Sequence, residues 1–237
     1  MKHYTLSAAA VALLTGLSLA GAANAAPIAV GSIGGAPTGV TLDNLDTVAL
    51  GNGGGTSSTG IIITFSGSGQ AVQGSSSGLY AAPYLSGNNG TGFGSPNQAD
   101  GQDATTYLTA GGTANSSATL VLPFDVKYFG LLWGSVDDHN SLELFNGNTL
   151  VGIIKGTDVT PVPDGSQAQD GTYYVNITSD VAFNKVIAKS TSFAFEFDNL
   201  AYNPTDPTVP SPEPLTLSLF GAGLAGMGLV RRRRRKA

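Results

Sequence analysis

Short apolar stretches alternate with clusters of Gly, Ser, Asn and Asp along most of the chain, and the body between the two ends shows no helical periodicity. Strands separated by turns are typical of this pattern, because Gly, Asn and Asp permit the backbone angles of tight turns. The pattern predicts an all-β fold, a single jelly-roll-like β-sandwich over residues 26–202. The predicted strands are Ile61–Phe65, Ala118–Leu122, Val126–Trp133, Ser141–Phe145, Leu150–Ile154, Tyr173–Ile177, Ala182–Ala188 and Phe193–Leu200.

The last predicted strand has the clearest alternation of side chains. Phe193, Phe195 and Phe197 fall on one face, whereas Glu196 and Asp198 fall on the other. Because successive side chains of a strand point to opposite faces, the pattern predicts a half-buried strand with its aromatic face on the core. Glu196 is therefore expected to face solvent.

A hairpin is predicted between the strands that contain Glu143 and Leu150. Leu142 and Leu144 alternate with Glu143, and residues 146–148 read Asn-Gly-Asn. Asn and Gly tolerate positive φ, which a tight hairpin turn requires. The alternation also places Glu143 on the solvent face of its strand.

Residues 51–102 contain fourteen Gly and nine Ser and few large apolar side chains. This composition predicts long loops laid over the sandwich, with one strand at Ile61–Phe65. Apolar residues are concentrated from Tyr107 to Tyr202, where the core is expected. Residues 203–211 are rich in Pro and predict an extended stalk.

The charges are divided unevenly between the body and the C-terminus. All five arginines stand at positions 231–235, whereas the body, residues 26–212, carries four lysines and fifteen Asp and Glu, a net charge of −11. Such a body repels phosphate groups, so nucleic-acid binding is not expected. Cysteine is absent, which excludes a disulfide framework, a thiolate metal site and thiol catalysis.

The N-terminus has the three parts of a secretory signal peptide. Lys2 precedes an apolar run from Leu6 to Ala20, and Ala23 and Ala25 form an A-x-A site. We predict a signal peptide over residues 1–25, cleaved after Ala25, with Ala26 as the alternative end point. Export by the general secretory machinery and processing by signal peptidase follow from this prediction.

The C-terminal segment, residues 212–237, reads Pro212-Glu213-Pro214, then sixteen uncharged residues, then Arg231, Arg232, Arg233, Arg234 and Arg235. Sixteen helical residues span about 24 Å, less than the ~30 Å of a bilayer core, so the predicted transmembrane helix is a marginal one. The positive-inside rule places the arginines in the cytoplasm as a stop-transfer cluster, with the acidic body outside. The span is either a permanent anchor or a transient stop before proteolysis.

Candidate catalytic residues are few. His139 is the one histidine that remains after signal removal, and it stands beside Asp137 and Asp138. A serine hydrolase also needs an activated serine and an oxyanion hole, and no G-x-S-x-G element occurs near His139 in the sequence. A glycosidase needs two carboxyl groups across a cleft, but Glu143 and Glu196 are both expected on solvent faces. We therefore predict no enzymatic activity, no catalytic residue, and a turn position for His139.

Calcium is the metal that the acidic body would suit, because it takes oxygen ligands and needs no cysteine or histidine. The candidate ligands are Asp137, Asp138, Asp164, Asp170 and Asp198, of which Asp137, Asp138 and Asp198 are retained as weak candidates. None has EF-hand or nonapeptide-repeat spacing, so solvated loops without a cofactor are the preferred interpretation. For a carbohydrate platform Trp133, Tyr173 and Tyr174 are available, although Trp133 is expected in the core.

The C-terminal order of Pro212-Glu213-Pro214, an apolar span and an arginine cluster closely resembles the PEP-CTERM sorting signal of Gram-negative bacteria. The resemblance implies cleavage by an exosortase, a membrane-embedded cysteine protease, and release to the cell surface or extracellular matrix. An ordinary tail anchor shares the apolar and basic parts but has no need of the Pro-Glu-Pro.

The body resembles a family of exosortase-dependent surface proteins. The residues that carry the likeness are Tyr128–Asp137, Asn140–Leu142, Phe145–Gly147 and Phe193–Asn199, with weaker agreement at Ala81–Pro83 and Thr106–Leu108. No enzymatic activity comes with this family. We therefore expect a structural or adhesive partner of exopolysaccharide in a biofilm or cell aggregate, and alternatively a calcium- or carbohydrate-binding module.

Overall fold

The computed structural model describes residues 28–32, 35–85, 93, 100–111 and 113–207. The predicted signal peptide with Ala23 and Ala25, the sorting motif Pro212-Glu213-Pro214 and the arginines at 231–235 lie outside these residues.

The described chain is mostly β-structure, as predicted, and its strands belong to one antiparallel sheet. In chain order the strands are β1 Ile28–Ser32, β2 Thr41–Asp43, β3 Gly55–Thr56, β4 Ile62–Ser66, β5 Gln70–Val72, β6 Tyr107–Thr109, β7 Ser116–Gly134, β8 Asn140–Asn146, β9 Thr149–Lys155, β10 Tyr173–Ser190 and β11 Glu196–Asn203. One four-residue helix, α1 Gly156–Val159, and one 3-10 turn, Gln169–Gly171, complete the described elements. No helix in these ranges is long and apolar enough to cross a membrane.

Two strands are much longer than predicted. Each of β7 and β10 joins two predicted strands into one, of 19 and 18 residues respectively. They pair with each other on both sides of a bend, where the register shifts between Thr178 and Phe183 and again before Lys185. At the bend of β7, Phe124 and Asp125 are exposed and directly follow Pro123. Proline has no backbone N–H group to donate to a neighbouring strand.

The two halves of these long strands have different outer neighbours. Before the bend β7 pairs with β4, and the matching half of β10 pairs with β8, which continues to β9. Beyond the bend β7 pairs with β11, and the other half of β10 pairs with β1. The sheet therefore branches into two halves that share only β7 and β10.

One buried hydrophobic core takes side chains from both halves of the sheet. Leu120, Leu142 and Val186 belong to the first half, whereas Phe129 and Phe197 belong to the second. Burial of such side chains stabilises a fold by about 1.5–3 kcal/mol each, so this shared core holds the two halves together.

A second, outer face of the sheet is covered by loops rather than by strands. We call residues 74–85 and 100–106 the covering segment, because they connect β5 to β6 and pack on β7 and β11. Pro83 lies so close to Gly134 that a Cβ atom built there would stand 3.1 Å from its ring. Tyr80 packs edge-on against Tyr107, with ring centroids 6.4 Å apart.

The covering segment makes the prediction of a half-buried last strand wrong. Every residue of β11 from Glu196 to Tyr202 is buried, on both faces. Phe193, predicted as part of the aromatic core face, precedes the strand and is 60% exposed. The alternation itself is correct, since Phe197 lies in the shared core and Glu196 on the opposite face.

Candidate functional site

A cavity of about 510 Å³ lies where the covering segment meets the β7–β8 connection. We call it the acidic cavity, because three carboxylates and one imidazole are among its lining side chains. It is lined by Gly78, Leu79, Tyr80, Ser135, Asp137, His139, Asp164, Gly165, Gln167, Phe193, Ala194 and Glu196.

Asp137 shapes the short connection between β7 and β8. Its Oδ1 accepts hydrogen bonds from the backbone N–H groups of His139 and Asn140, both at 3.0 Å, and its Oδ2 accepts one from Asn140 Nδ2 at 2.9 Å. An aspartate that bonds the backbone two residues ahead makes a compact turn of its own. Asn140 Nδ2 also donates to the carbonyl of Ala194, which ties this turn to the segment before β11.

His139 occupies the predicted turn between two strands. Its Nδ1 lies 2.7 Å from Asp138 Oδ1, and its Nε2 lies 3.5 Å from Asp137 Oδ2. Both ring nitrogens therefore face carboxylates, and the ring lies on the wall of the acidic cavity.

Glu196 is the residue that sequence reasoning misplaced. It was predicted on a solvent face but is only 2% exposed, because the covering segment lies over that face of β11. Its Oε1 accepts a hydrogen bond from the backbone N–H of Ala81 at 2.9 Å. Its Oε2 is buried and receives no hydrogen bond of ordinary length from the described residues, although the Ser135 hydroxyl lies close enough to lower the pKa of this carboxyl.

The two buried carboxyls of the acidic cavity hold their protons unusually well. Burial raises the pKa of Glu196 to about 7, opposed in part by the Ala81 hydrogen bond and reinforced by the negative charge of Asp137. Burial also raises the pKa of Asp137 to about 6, against the lowering effect of His139 and of the two backbone hydrogen bonds. Desolvation disfavours the charged form of an acid, which explains both shifts.

Asp198 lies in a separate group, with Asp103 of the covering segment. Burial raises the pKa of Asp198 well above its usual range, and a hydrogen bond with the Asp103 carboxyl adds to the rise. Asp103 Oδ2 and Asp198 Oδ1 receive no hydrogen bond from N–H or O–H groups of other described residues.

The five aspartates considered as calcium ligands are therefore divided between buried and exposed positions. Asp137 and Asp198 are buried in two different groups, so the expectation of solvated loops is wrong for both; it holds for Asp138, Asp164 and Asp170, which are exposed. Within the described ranges, no three or more Asp, Glu or His side chains are grouped so that they could hold a metal ion.

Of the three aromatic residues considered for a carbohydrate platform, Tyr173 is partly exposed, whereas Trp133 and Tyr174 are buried and cannot contact a sugar. Trp133 is fully buried and stacks on Phe195, with ring centroids 4.3 Å apart, as its core assignment predicted. Tyr174 is also fully buried, where its hydroxyl donates to the carbonyl of Asn199. The exposed aromatic ring at the acidic cavity is instead that of Phe193.

A serine sequence also reaches the acidic cavity from the covering segment. Gly74-Ser75-Ser76-Ser77-Gly78 fits a G-x-S-x-G pattern, and Gly78 lines the cavity. The stretch forms a turn in which Ser76 bridges to Tyr80. A nucleophile elbow requires a strand-to-helix turn, so this stretch does not supply its geometry.

Asp103 had no local signal in the sequence, since it stands in a Gly-rich stretch of polar residues. Glu196 had a local signal for burial, its position between Phe195 and Phe197, but this signal is ambiguous without knowledge of the covering segment.

Comparison of the chain with protein-family models, with curated proteins and with solved structures finds no match.

Proposed function

We propose that this chain is an exported, non-enzymatic surface or extracellular-matrix protein, cleaved by an exosortase and associated with exopolysaccharide. The observation that carries the proposal is the order of Pro212-Glu213-Pro214, sixteen uncharged residues and five arginines at the C-terminus, in a chain whose N-terminus has a signal-peptide pattern. The inner membrane holds the protein only until cleavage.

The proposed body is a jelly-roll-like β-sandwich. Its support is the branching of the sheet at the bend of β7 and β10, which sends two halves toward one shared core. Strands that pass from one layer to the other through a bulge or bend are characteristic of such folds.

The composition of the body suits exposure outside the cell. The net charge of −11 on residues 26–212 keeps copies of the body apart in solution. The same residues contain neither cysteine nor methionine, so no sulfur is open to oxidation.

The sorting proposal is tested by changing Glu213→Ala and Pro214→Ala together in the native host. We expect the variant to stay in the inner membrane at its uncleaved mass, whereas the wild-type protein reaches the surface with a lower mass. Pro207→Ala, in the stalk, is the matched control and should sort normally. Unchanged mass and distribution of the double variant would contradict the proposal.

A second candidate function is a carbohydrate- or calcium-binding module at the cell surface. The acidic cavity supports the carbohydrate form, because its volume lies within the roughly 300–1,000 Å³ of small-molecule sites and its walls combine aromatic and polar groups. The calcium form is supported by the neighbouring buried carboxyls of Asp103 and Asp198, each with one oxygen that accepts no N–H or O–H group of the other described residues.

The calcium form has a direct test. Calcium that binds only the folded state stabilises it by an amount that grows with the logarithm of the calcium concentration above Kd, so the thermal unfolding midpoint should rise with calcium chloride and fall with a chelator. The Asp198→Asn variant should lose that response. An identical midpoint in both solutions removes calcium from this candidate.

A further inference from the structure

The acidic cavity has three carboxylates in its wall, beside which Ser135, Tyr80 and Gln167 can also donate hydrogen bonds. Asp137, Asp164 and Glu196 line it, and no lysine or arginine is among the described residues of its lining. The basic side chain in that part of the lining is His139, which Asp137 and Asp138 already contact. The charge of the cavity therefore favours a ligand that brings donors and a positive charge.

Glu196 provides the anchor for such a ligand. Glu196 lines the cavity; its buried Oε2 receives no hydrogen bond of ordinary length from the described residues, while Oε1 accepts one from Ala81 N–H. A buried acceptor without a hydrogen bond destabilises the folded protein, and a donor from a ligand removes that cost. A positively charged donor bonds the ionised Glu196 more strongly than a neutral donor does, and it shifts this carboxyl, whose pKa is about 7, toward the charged form.

The rim of the cavity indicates which kind of molecule carries the charged donor. Phe193 and Leu79 are exposed apolar side chains at its edge, and Tyr80 lies beside them partly buried. An apolar rim next to acceptors suits a sugar ring, which has apolar faces and hydroxyl edges. The cavity, at about 510 Å³, is also larger than the single aliphatic stem of a lysine side chain would fill.

We propose that the acidic cavity binds an amino-sugar unit of a polysaccharide, with its protonated amino group on Glu196 and Asp137 and its ring against Phe193. This inference rests on the proposed association with exopolysaccharide and names the kind of sugar recognised. The ligand is bound without any covalent step.

Calorimetric titration of the full-length chain with three probes tests the inference. The probes are a glucosamine oligomer, its fully N-acetylated counterpart and a tri-lysine peptide. We expect the glucosamine oligomer to bind at least about tenfold more tightly than the other two, since N-acetylation removes the charge and the peptide lacks the ring. Equal affinity for the N-acetylated oligomer, or tighter binding of tri-lysine, would overturn the amino-sugar assignment.

Three substitutions test whether the ligand binds in the acidic cavity. Glu196→Gln keeps an acceptor for Ala81 but removes the negative charge, and should weaken binding about tenfold. Glu143→Gln is the matched control, because Glu143 is the other glutamate of the body and lies outside the cavity; it should bind as the wild type does. Phe193→Ala, an exposed change that leaves the core intact, should weaken binding several-fold.

The outcomes separate this inference from the proposed function. If Glu143→Gln weakens binding as much as Glu196→Gln, or if Phe193→Ala has no effect, the cavity is not the site. If neutral glucan oligomers bind as well as glucosamine oligomers, the exopolysaccharide association stands and the amino-sugar inference fails. Normal exosortase cleavage without any saccharide binding would leave the sorting proposal intact and overturn this inference.

Discussion

The two glutamates of the body occupy corresponding positions on two strands but lie in opposite environments. Glu143, on β8, is partly exposed, and its Oε1 pairs with Lys189 Nζ at 2.7 Å. Glu196, on β11, is buried, and its described hydrogen-bond donor is the backbone N–H of Ala81. Both alternate with apolar neighbours along the sequence.

The difference arises from what covers each strand rather than from the strands themselves. β8 continues into β9 through a tight turn in which Gly147 has a φ of 57°. β11 instead lies under the covering segment, which brings Ala81 and Asp103 onto its outer face. A loop inserted more than ninety residues earlier in the chain thus turns a solvent-facing position into a buried, proton-binding one.

The largest expected effect on stability distinguishes Phe197 from Phe193, two residues that the sequence alternation places on one face of the strand. Phe197→Ala removes a ring from the shared core and should lower the free energy of unfolding by about 3–5 kcal/mol. Phe193→Ala removes a largely exposed ring and should change it by less than about 0.5 kcal/mol. Urea unfolding of both variants measures the difference, and similar losses would place Phe193 in the core.

The next effect concerns the pH dependence of stability. Burial raises the folded-state pKa of Glu196 from an ordinary value near 4.5 to about 7, so the folded protein binds this proton more tightly than the unfolded chain does. The stability that this proton contributes is fully present below about pH 4.5 and is lost as the pH rises to about 7. At about 1.4 kcal/mol per pKa unit, the loss is about 3 kcal/mol.

Urea unfolding across this pH range, with wild type and Glu196→Gln, measures the Glu196 contribution. The variant should lose much less stability between pH 4.5 and 7, although the raised pKa values of Asp137 and Asp198 leave a slope of the same sign. Glu143→Gln, which removes a partly exposed ion pair, should cost about 0–1 kcal/mol and keep the wild-type slope. A wild-type slope in Glu196→Gln would show that Glu196 is not buried as described.

The smallest expected effect on stability tests whether the covering segment packs on β7. Gly134→Val introduces a Cβ atom 3.1 Å from the ring of Pro83, in a strand where valine is otherwise favourable. Displacement of the covering segment should lower the free energy of unfolding by about 1–3 kcal/mol. Gly53→Val, where no atom lies within 4 Å of the built Cβ, is the control and should be close to neutral. Equal stability of the two variants would mean that Pro83 does not pack on β7.

Much of the sheet could be predicted because its longer strands have strong local signals. Each of the eight predicted strands overlaps a strand of the structure, and the Asn-Gly-Asn turn joins β8 to β9 as predicted. Five strands of the described chain were missed. The short strands β2, β3, β5 and β6 have only two or three residues and carry no recognisable period, and the five-residue β1 was missed as well. The fusion of strand pairs into β7 and β10 was missed as well, since polar residues at a bulge resemble a turn.

The sequence by itself determined the all-β class and the separation of an acidic body from a basic C-terminus. These are properties of local pattern and of composition. Only the tertiary structure decided that Glu196 and Asp198 are buried, that Asp103 meets Asp198, and that Glu196 shares a cavity with Asp137. The physical reason is that alternation tells which side chains share a face of a strand, whereas burial and pKa depend on the distant segment that packs over that face.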